Sequence, residues 1–501
     1  MTMNKNHRPP ESLKEATSKI HKNVDFPISI NAYMEALESQ LFEAVPHQQL
    51  LERLLAQVKP VDFWSLATEI EGRTIEELKQ KHYVVLVVRE VIRFAKVYGW
   101  ALCVRFDAVY LYNGAFWREI DRKALERFLG EAAAKMGTPT LEAEHFEFRK
   151  KLREQFLVTA YLPEPTTDEK TVLVNVKNGT LEISANGYEL RPPDPKDFLT
   201  YQLPFLYDPQ AKAPMFDKYL NRCLPDQDLQ RLLAEFFGWT FTKHLKLEKA
   251  LFLHGEGANG KSVMFEIINA LMGKDNVTTM SISDLREEHN RALLVDKLLC
   301  YGSEIGANGM ENDGFKTIVS NEQSRIRRKY GNPFTVKIHC KLAFNANELP
   351  PTREINEAFF RRFLIVPFNQ TIPTTERDPL LASKIIDNEL SGVFNWVLAG
   401  LDRLLNNGRF TAADASRDAL DIYRKESDSV AMFVEEEGFE HDPLARTFLK
   451  EIYPQYRTFC QQNGFVPLSS KKVRKRFEGL GFSVGEHRRL PFFAISKGLP
   501  V

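Results

Sequence analysis

Apolar and polar positions divide the chain into stretches of different period. Helical spacing governs Ile30 to Lys59, where Leu50, Leu51, Leu54, Leu55 and Val58 recur at three- and four-residue intervals. It returns from Tyr83 to Tyr98 with Val84, Val87, Val88, Val91 and Ala95. An alternating segment follows, Val104 and Phe106 against Cys103, Arg105 and Asp107. Tyr110 to Tyr112 then runs into Asn113-Gly114, a strong hairpin signal, with Phe116-Trp117 beginning the return strand. Helical text resumes at Arg122 to Met136 and continues to about 161. Residues 172 to 183 read strand, Asn178-Gly179 turn, strand, and Pro192, Pro193 and Pro195 mark irregular chain. From Pro214 to His244 the pattern is helical again. Residues 1 to about 25, with Pro9-Pro10, are polar and read as a loose tail.

The stretch 250 to 273 organises the rest. Leu251, Phe252 and Leu253 form a brief apolar run bounded by turn residues, which reads as a buried strand. After a loop, Val263, Ile267 and Leu271, flanked by Met264 and Ile268, take up helical spacing. The loop between them, Gly255 to Ser262, fits G-x-x-x-x-G-K-[ST] with Gly255, Gly257, Ala258, Asn259, Gly260, Lys261 and Ser262. Its glycines let the backbone curl so that amide N–H groups meet phosphate oxygens. Lys261 is placed for the β/γ-phosphates and Ser262 for Mg²⁺, at the positive end of a helix. A glycine-rich turn with a surface lysine is the ordinary alternative; the strand before and the helix after decide for nucleotide, with ATP and Mg²⁺ expected.

Composition narrows the class. Lys+Arg and Asp+Glu balance at 67 each, so any nucleic-acid surface must be local. Cys103, Cys223, Cys300, Cys340 and Cys460 form no C-x-x-C pair, which argues against a zinc ribbon or a disulfide scaffold and fits a reducing compartment. No apolar run reaches a membrane-spanning ~18 residues, and no signal core follows the N-terminus. The expectation is a soluble, cytoplasmic protein with no membrane partner. At a prior of ~150 residues per domain the chain holds about three.

An ATPase also needs a carboxylate at a strand end, a polar sensor and usually an arginine. Lys297 to Glu304 is an apolar strand ending in Ser303-Glu304, with Asp296 and Glu311 as weaker acids. Cys340 to Pro350 presents Asn345 and Asn347 at a strand end, and Arg361-Arg362 stand before the apolar run 363–368. Between the strands at 297–304 and 340–350, Arg325, Arg327, Arg328 and Lys329 precede Tyr330 and a Gly-Asn-Pro turn. This basic hairpin suits a phosphate backbone, with Tyr330 as a stacking face.

In this order the motifs resemble the superfamily 3 helicases, nearest the phage and plasmid primase-helicase group related to the poxvirus primase-helicase. The likeness also takes in 315–322, residues 207–216 and Phe237 to Trp239. It spans about 100 to 500, is most specific from 207 to 368, and leaves the first ~80 residues outside. It implies an AAA+ core assembling as a ring, usually hexameric, around single-stranded or forked DNA. Gly255 to Ser262 match its Walker A loop, Glu304 its Walker B acid and Asn347 its sensor. Arg362 matches its arginine finger, with Arg361 a close second, and Arg327, Arg328 and Lys329 its DNA-contacting hairpin. Many relatives carry two acids where this chain has Ser303 before Glu304, so the division between metal binding, by Ser262 and Glu304, and water activation stays open.

The C-terminal segment carries its own signal. Phe448 to Gln462 reads as a helix. A serine-capped basic helix follows from Ser469 to Leu480 with Lys471, Lys472, Arg474 and Lys475, and then a hairpin from Phe482 to Ser496 containing Arg488-Arg489. Residues 469–497 hold eight basic and two acidic side chains, the outline of a winged-helix DNA binder. The expected fold is α/β: a P-loop AAA+ core at 215–420, a helical region at 1–82, a mixed α/β domain at 83–214 and a winged-helix-like domain at 421–501. The expected function is an ATP-dependent replicative DNA helicase of a phage, plasmid or mobile element, host- or phage-encoded, with a primase or loader docking on the N-terminal region. The rival is a non-translocating origin-binding or DNA-sensing ATPase scaffold. Primer synthesis is not expected, because residues 1–200 contain no Asp-x-Asp pair at a strand end.

Overall fold

The computed structural model describes residues 45–97, 101–106, 108–160, 171–184, 187–302, 312–329, 331–349, 352, 354 and 356–497. The chain divides into two compact units, one up to Tyr207 and one from Asp208. Within the first, helices α1 (His47–Gln57), α2 (Phe63–Glu71), α3 (Gln80–Val97), α4 (Arg122–Met136), α5 (Thr140–Glu144) and α6 (Phe146–Thr159) share one core with Val87, Val91, Leu129, Phe148 and Leu152 at its centre. Asp62 and Asp121 each accept two backbone N–H bonds at the starts of α2 and α4, which fixes where those helices begin.

Two antiparallel three-stranded sheets complete this unit: β1 (Leu102–Arg105), β2 (Ala108–Tyr112) and β3 (Trp117–Glu119), then β4 (Val172–Val176), β5 (Gly179–Ser184) and β6 (Gly187–Arg191). The Asn113-Gly114 hairpin forms with Tyr112 opposite Trp117, so 113–116 make the turn and the return strand starts at Trp117, one residue later than expected. The second turn shifts by one residue. Val176 pairs with Gly179, so Lys177-Asn178 make the turn and Gly179 already belongs to the strand. Asn175, fully buried in β4, holds the irregular chain in place by donating to the carbonyls of Ala115 (2.7 Å) and Tyr201 (3.0 Å).

The second unit is built on a five-stranded parallel sheet. In chain order its strands are β7 (Ala250–His254), β8 (Val277–Thr279), β9 (Leu299–Gly302), β12 (Lys341–Ala346) and β13 (Phe363–Pro367), and in space they run β13-β7-β12-β9-β8. Near-continuous apolar runs are what a parallel sheet covered on both faces requires, and β7, β12 and the edge strand β13 are buried almost throughout. A separate two-stranded hairpin, β10 (Gln323–Arg327) and β11 (Pro333–Lys337), stands between β9 and β12 in sequence.

Helices α7 (Pro214–Cys223), α8 (Gln227–Trp239), α9 (Lys261–Met272), α10 (Glu288–Ala292), α11 (Asp313–Val319), α12 (Glu357–Phe360), α13 (Leu381–Asn407) and α14 (Asp414–Ser427) complete the core. α8 and α13 cross closely: a Cβ on Gly400 would lie 2.3 Å from the Ala234 carbonyl carbon, and one on Gly238 2.7 Å from Leu401 Cβ. Buried Glu389 of α13 accepts the backbone N–H groups of Met215 (3.0 Å) and Phe216 (2.9 Å), giving the start of α7 a carboxylate cap from another helix.

Residues 429–497 form a small helix-and-hairpin assembly: α15 (Ser429–Glu436), β14 (Phe439–His441), β15 (Thr447–Phe448), α16 (Leu449–Gln462), α17 (Ser470–Gly479), β16 (Val484–His487), β17 (Leu490–Phe493) and β18 (Ile495–Lys497). Val430, Phe433, Ile452, Tyr456, Val473, Phe477 and Phe493 supply its core. Ser469 occupies the N-cap position of α17, but its side chain makes no capping bond.

Candidate functional site

The glycine-rich loop leaves the C-terminal end of β7 and enters α9. It is pinned at several points: Gly255 N–H donates to Ala346 O (3.2 Å), Phe368 N–H to His254 O (2.7 Å) and Ile372 N–H to Ala258 O (2.8 Å). Gly255, Ala258 and Gly260 have φ of 147°, 62° and 92°. At Gly255 a Cβ would lie 2.5 Å from Phe368 O, and at Gly260 2.5 Å from Cys223 Sγ, so both positions need glycine for space as well as for backbone. Beneath the loop, Tyr219 of α7 donates its hydroxyl to Gly260 O at 2.8 Å.

α9 begins at Gly260 without a cap from that residue's side chain, and its Lys261 N–H donates to Asn259 Oδ1 at 3.5 Å. A helix start that leaves a glycine-rich loop is an arrangement that receives anions. Lys261 is only 5 % exposed and its ammonium turns inward. It donates to Gly255 O, to Glu256 O at 3.2 Å and to Asn259 Oδ1 at 3.2 Å. Burial lowers its pKa below the usual lysine value. Asn259, equally buried, donates through Nδ2 to Glu256 O and to Phe368 O (3.0 Å), locking the loop to the end of β13. An entering phosphate would exchange these carbonyl partners of Lys261 for charged oxygens. Ser262 is exposed beside it. Among the described residues no three His, Cys, Asp or Glu side chains cluster as a metal cage. A serine hydroxyl beside a phosphate-binding loop fits Mg²⁺ that shares its coordination with a substrate's phosphates.

Asn347 lies one residue past β12, exposed, and lines the same cleft of about 880 Å³ as Gly255, Glu256 and Asn259. His254, Glu348, Asp418 and Glu426 line it too. Burial, helped by the Lys261 charge, keeps the His254 pKa below its usual value. Asn345 points elsewhere: its Nδ2 donates to the Tyr301 hydroxyl (2.7 Å), whose ring stacks on Phe265 of α9 at 3.7 Å. Asn345 Oδ1 is buried without a partner. Ser303, Glu304, Glu311 and Tyr330 lie outside the described residues; β9 is described up to Gly302, on the strand next to β12.

Arg361 and Arg362 stand at the opposite edge of the sheet. Ala250, the first residue of β7, donates its N–H to Arg362 O at 2.8 Å, and β7 and β13 run parallel from there. Five residues of strand, about 16 Å, separate this edge from the loop. Arg361 pairs with Glu248 at 2.7 Å, and Arg362 donates to Ser320 Oγ at 3.0 Å and to Ala358 O. Lys249 and Lys341 belong to the same edge. Lys341 is buried with its ammonium 4.1 Å from the Trp239 ring centre, and its pKa is lowered to about 8 by burial. Neither arginine can reach the phosphate loop of its own chain.

The basic hairpin forms as expected, with Ile326 and Val336 turned inward and Arg325, Arg327, Thr335 and Lys337 outward. Arg325 is offset by Glu288 at 3.3 Å, and Arg328 lies over the Phe334 ring at 5.6 Å; Arg327 and Lys329 are exposed. On α17, Val473 and Phe477 face the core while Lys471, Lys472 and Lys475 face solvent. Arg474 pairs with Glu478 at 3.5 Å, and Arg476 is tied to nearly buried Asp428, a structural contact.

Fold and site define an α/β protein with a parallel five-stranded sheet and a glycine-rich loop at its C-terminal edge. Residues 91–225 match the family described as D5 N terminal like, and residues 253–362 match DUF5906, a family of unknown function. The helicase-named protein L207/L206 of Acanthamoeba polyphaga mimivirus is 24% identical over 212 residues, 40% of this chain and 22% of the relative, so the chain spans about a fifth of that protein's length. Two apo structures of the NrS-1 C-terminal region align at 13% identity with TM-scores of 0.45 and 0.43, each covering 84% of this chain and 100% of the other. The D5-type segment and the viral relative make the chain a relative of the phage-type primase-helicases, in agreement with the resemblance of its motifs. Among the described residues no helix is long and apolar enough to cross a membrane.

Proposed function

We propose that this chain is an ATP-dependent DNA helicase of the superfamily 3 type, with an AAA+ core that works as a ring of identical subunits, six by the resemblance of its motifs. The observation that carries the reading is the separation of the two halves of one catalytic set. The phosphate loop with inward-turned Lys261 occupies one edge of the sheet and Arg361-Arg362 the other, so a complete site needs a second copy. Charge supports the same assembly. Arg361, paired with Glu248, and Arg362 stand at one edge, and the cleft at the other is lined by Glu256, Glu348, Asp418 and Glu426.

In this reading Gly255 to Ser262 hold the triphosphate of ATP. Ser262 and Glu304 hold Mg²⁺, which neutralises phosphate charge, and Asn347 contacts the terminal phosphate from the cleft. Arg362 of a neighbour, with Arg361 beside it, stabilises charge that develops on hydrolysis. Arg327, Arg328 and Lys329 track the single strand, and the 429–497 assembly, read as winged-helix-like, adds Lys471, Lys472, Arg474 and Lys475 on DNA.

The test is subunit mixing. Lys261→Ala and Arg362→Ala proteins should each fail to hydrolyse ATP, whereas their mixture regains activity at seams that join an intact loop to an intact arginine. A chain that stays monomeric with nucleotide and forked DNA would overturn the reading. Hydrolysis indifferent to DNA, with ATP-dependent assembly and no strand displacement, would favour the scaffold instead.

A further inference from the structure

The hairpin of the C-terminal assembly turns in two residues. His487 pairs with Leu490, so Arg488 and Arg489 alone make the turn. Both are left-handed, with φ of 50° and 66°. Among the described residues they are the only two consecutive non-glycine residues with positive φ. A two-residue hairpin of this kind favours Asn-Gly or Gly-Gly, because a Cβ in the left-handed region crowds the backbone. Two arginines there cost the fold conformational energy and contribute no packing, since both side chains are exposed. Strain held at a solvent-facing tip is characteristic of a binding element.

The tip is also firmly aimed. Phe477 of α17 stacks on Phe493 of β17 with ring centres 4.3 Å apart, so the helix and the hairpin are joined through one core. The exposed Lys471, Lys472 and Lys475 therefore project from the same small body as the turn. A basic helix and a basic hairpin tip on one rigid support suit a groove and its flanking phosphates. A single strand would instead call for an aromatic stacking face, and residues 486–491 contain no Phe, Tyr or Trp.

We propose that the Arg488-Arg489 turn is a duplex-DNA contact, kept in an unfavourable backbone conformation for the charge it carries. This rests on the reading of residues 429–497 as a DNA-binding element. The test uses the full chain without nucleotide and a short blunt duplex, comparing wild type with Arg488→Asn/Arg489→Gly and Arg488→Lys/Arg489→Lys.

The Asn-Gly variant should melt roughly 2 °C or more higher, because it relieves the turn. It should also bind duplex roughly tenfold more weakly near 0.1 M salt, with the log–log salt slope smaller by about 2. The Lys-Lys variant should keep the wild-type slope. Undiminished duplex affinity in the Asn-Gly variant would overturn the proposal. So would an equal loss in the Lys-Lys variant, or a loss seen only on anionic phosphatidylserine vesicles. A Lys471→Glu/Lys472→Glu/Lys475→Glu protein separates the two levels. If it loses duplex binding while the Asn-Gly variant does not, only the tip assignment fails; if neither loses it, the reading of the whole assembly fails.

Discussion

The two edges of the parallel sheet solve different problems with the same strands. At the C-terminal edge the work falls to backbone: glycines with no room for a Cβ, a helix start at Gly260, and a lysine whose ammonium is buried among carbonyls. At the N-terminal edge it falls to long cations, two of them exposed or half-exposed arginines already paired to Glu248 and Ser320. A site made of backbone tolerates almost no substitution, whereas a site made of guanidinium groups can exchange partners when a new anion arrives. On the proposed function the first edge would hold a ligand and the second would be offered to one.

The largest effect should come from breaking the first edge. Lys261→Ala should reduce ATP hydrolysis to the level of buffer with the circular-dichroism spectrum unchanged, because no other described cation enters the loop. Hydrolysis that survives would make the loop a structural turn. Next in size, Arg362→Ala should lower kcat by roughly 10³-fold and leave nucleotide affinity within a few-fold, as expected of a cation acting on a neighbour's substrate. Arg361→Ala measured alongside sharpens the comparison, since Arg361 is the more exposed of the two and Arg362 the more tightly held. A larger loss at Arg361 would exchange their roles.

The contrast between the edges also explains what the sequence made legible. The strand, glycine-rich turn and helix could be read because they occupy one continuous stretch, 250–273. What holds the turn could not: Asn259 is clamped by Phe368 and Gly260 rests on Tyr219, partners 109 and 41 residues away. Asn345 and Asn347 alternate onto one face of an extended chain, yet β12 ends at Ala346, so one amide is tied to Tyr301 and the other opens on the cleft. Strand β6 escaped notice because its alternating Tyr188 and Leu190 face solvent, 42% and 40% exposed. That the arginines lie at the far end of the sheet follows from β13 pairing in parallel with β7, a pairing no local pattern encodes.

Lys341 allows the second edge to be probed through stability. Its pKa of about 8 lies below the usual 10.5, with burial as the leading cause. Below pH 8 the folded and unfolded chains both carry the charge and the burial cost is fully present. Between 8 and 10.5 the folded protein has released a proton that the unfolded chain still binds, so unfolding free energy rises with pH. Lys341→Met should remove that rise and stabilise the protein by about 1–3 kcal/mol at pH 7, the upper value corresponding to the full shift and the lower to loss of the contact with Trp239. Denaturant midpoints measured from pH 7 to 10.5 decide it; a wild-type profile that is flat, or a variant that keeps the slope, would remove Lys341 from the account.

The smallest effect reaches the first edge from a distance. Glu389 accepts two N–H groups at the start of α7, the helix whose Tyr219 and Cys223 support Gly260. Glu389→Ala leaves those N–H groups without their acceptor, which should cost about 1–2 kcal/mol of stability. If the loop depends on that support, nucleotide affinity should fall several-fold as well, measured well below the melting temperature so that unfolding does not contribute. Glu389→Gln keeps one carbonyl acceptor and should recover part of both losses. A variant destabilised as expected but binding nucleotide like wild type would mean that the loop is held by β13 and Asn259 alone, and α7 would then be scaffold for the core and not part of the phosphate site.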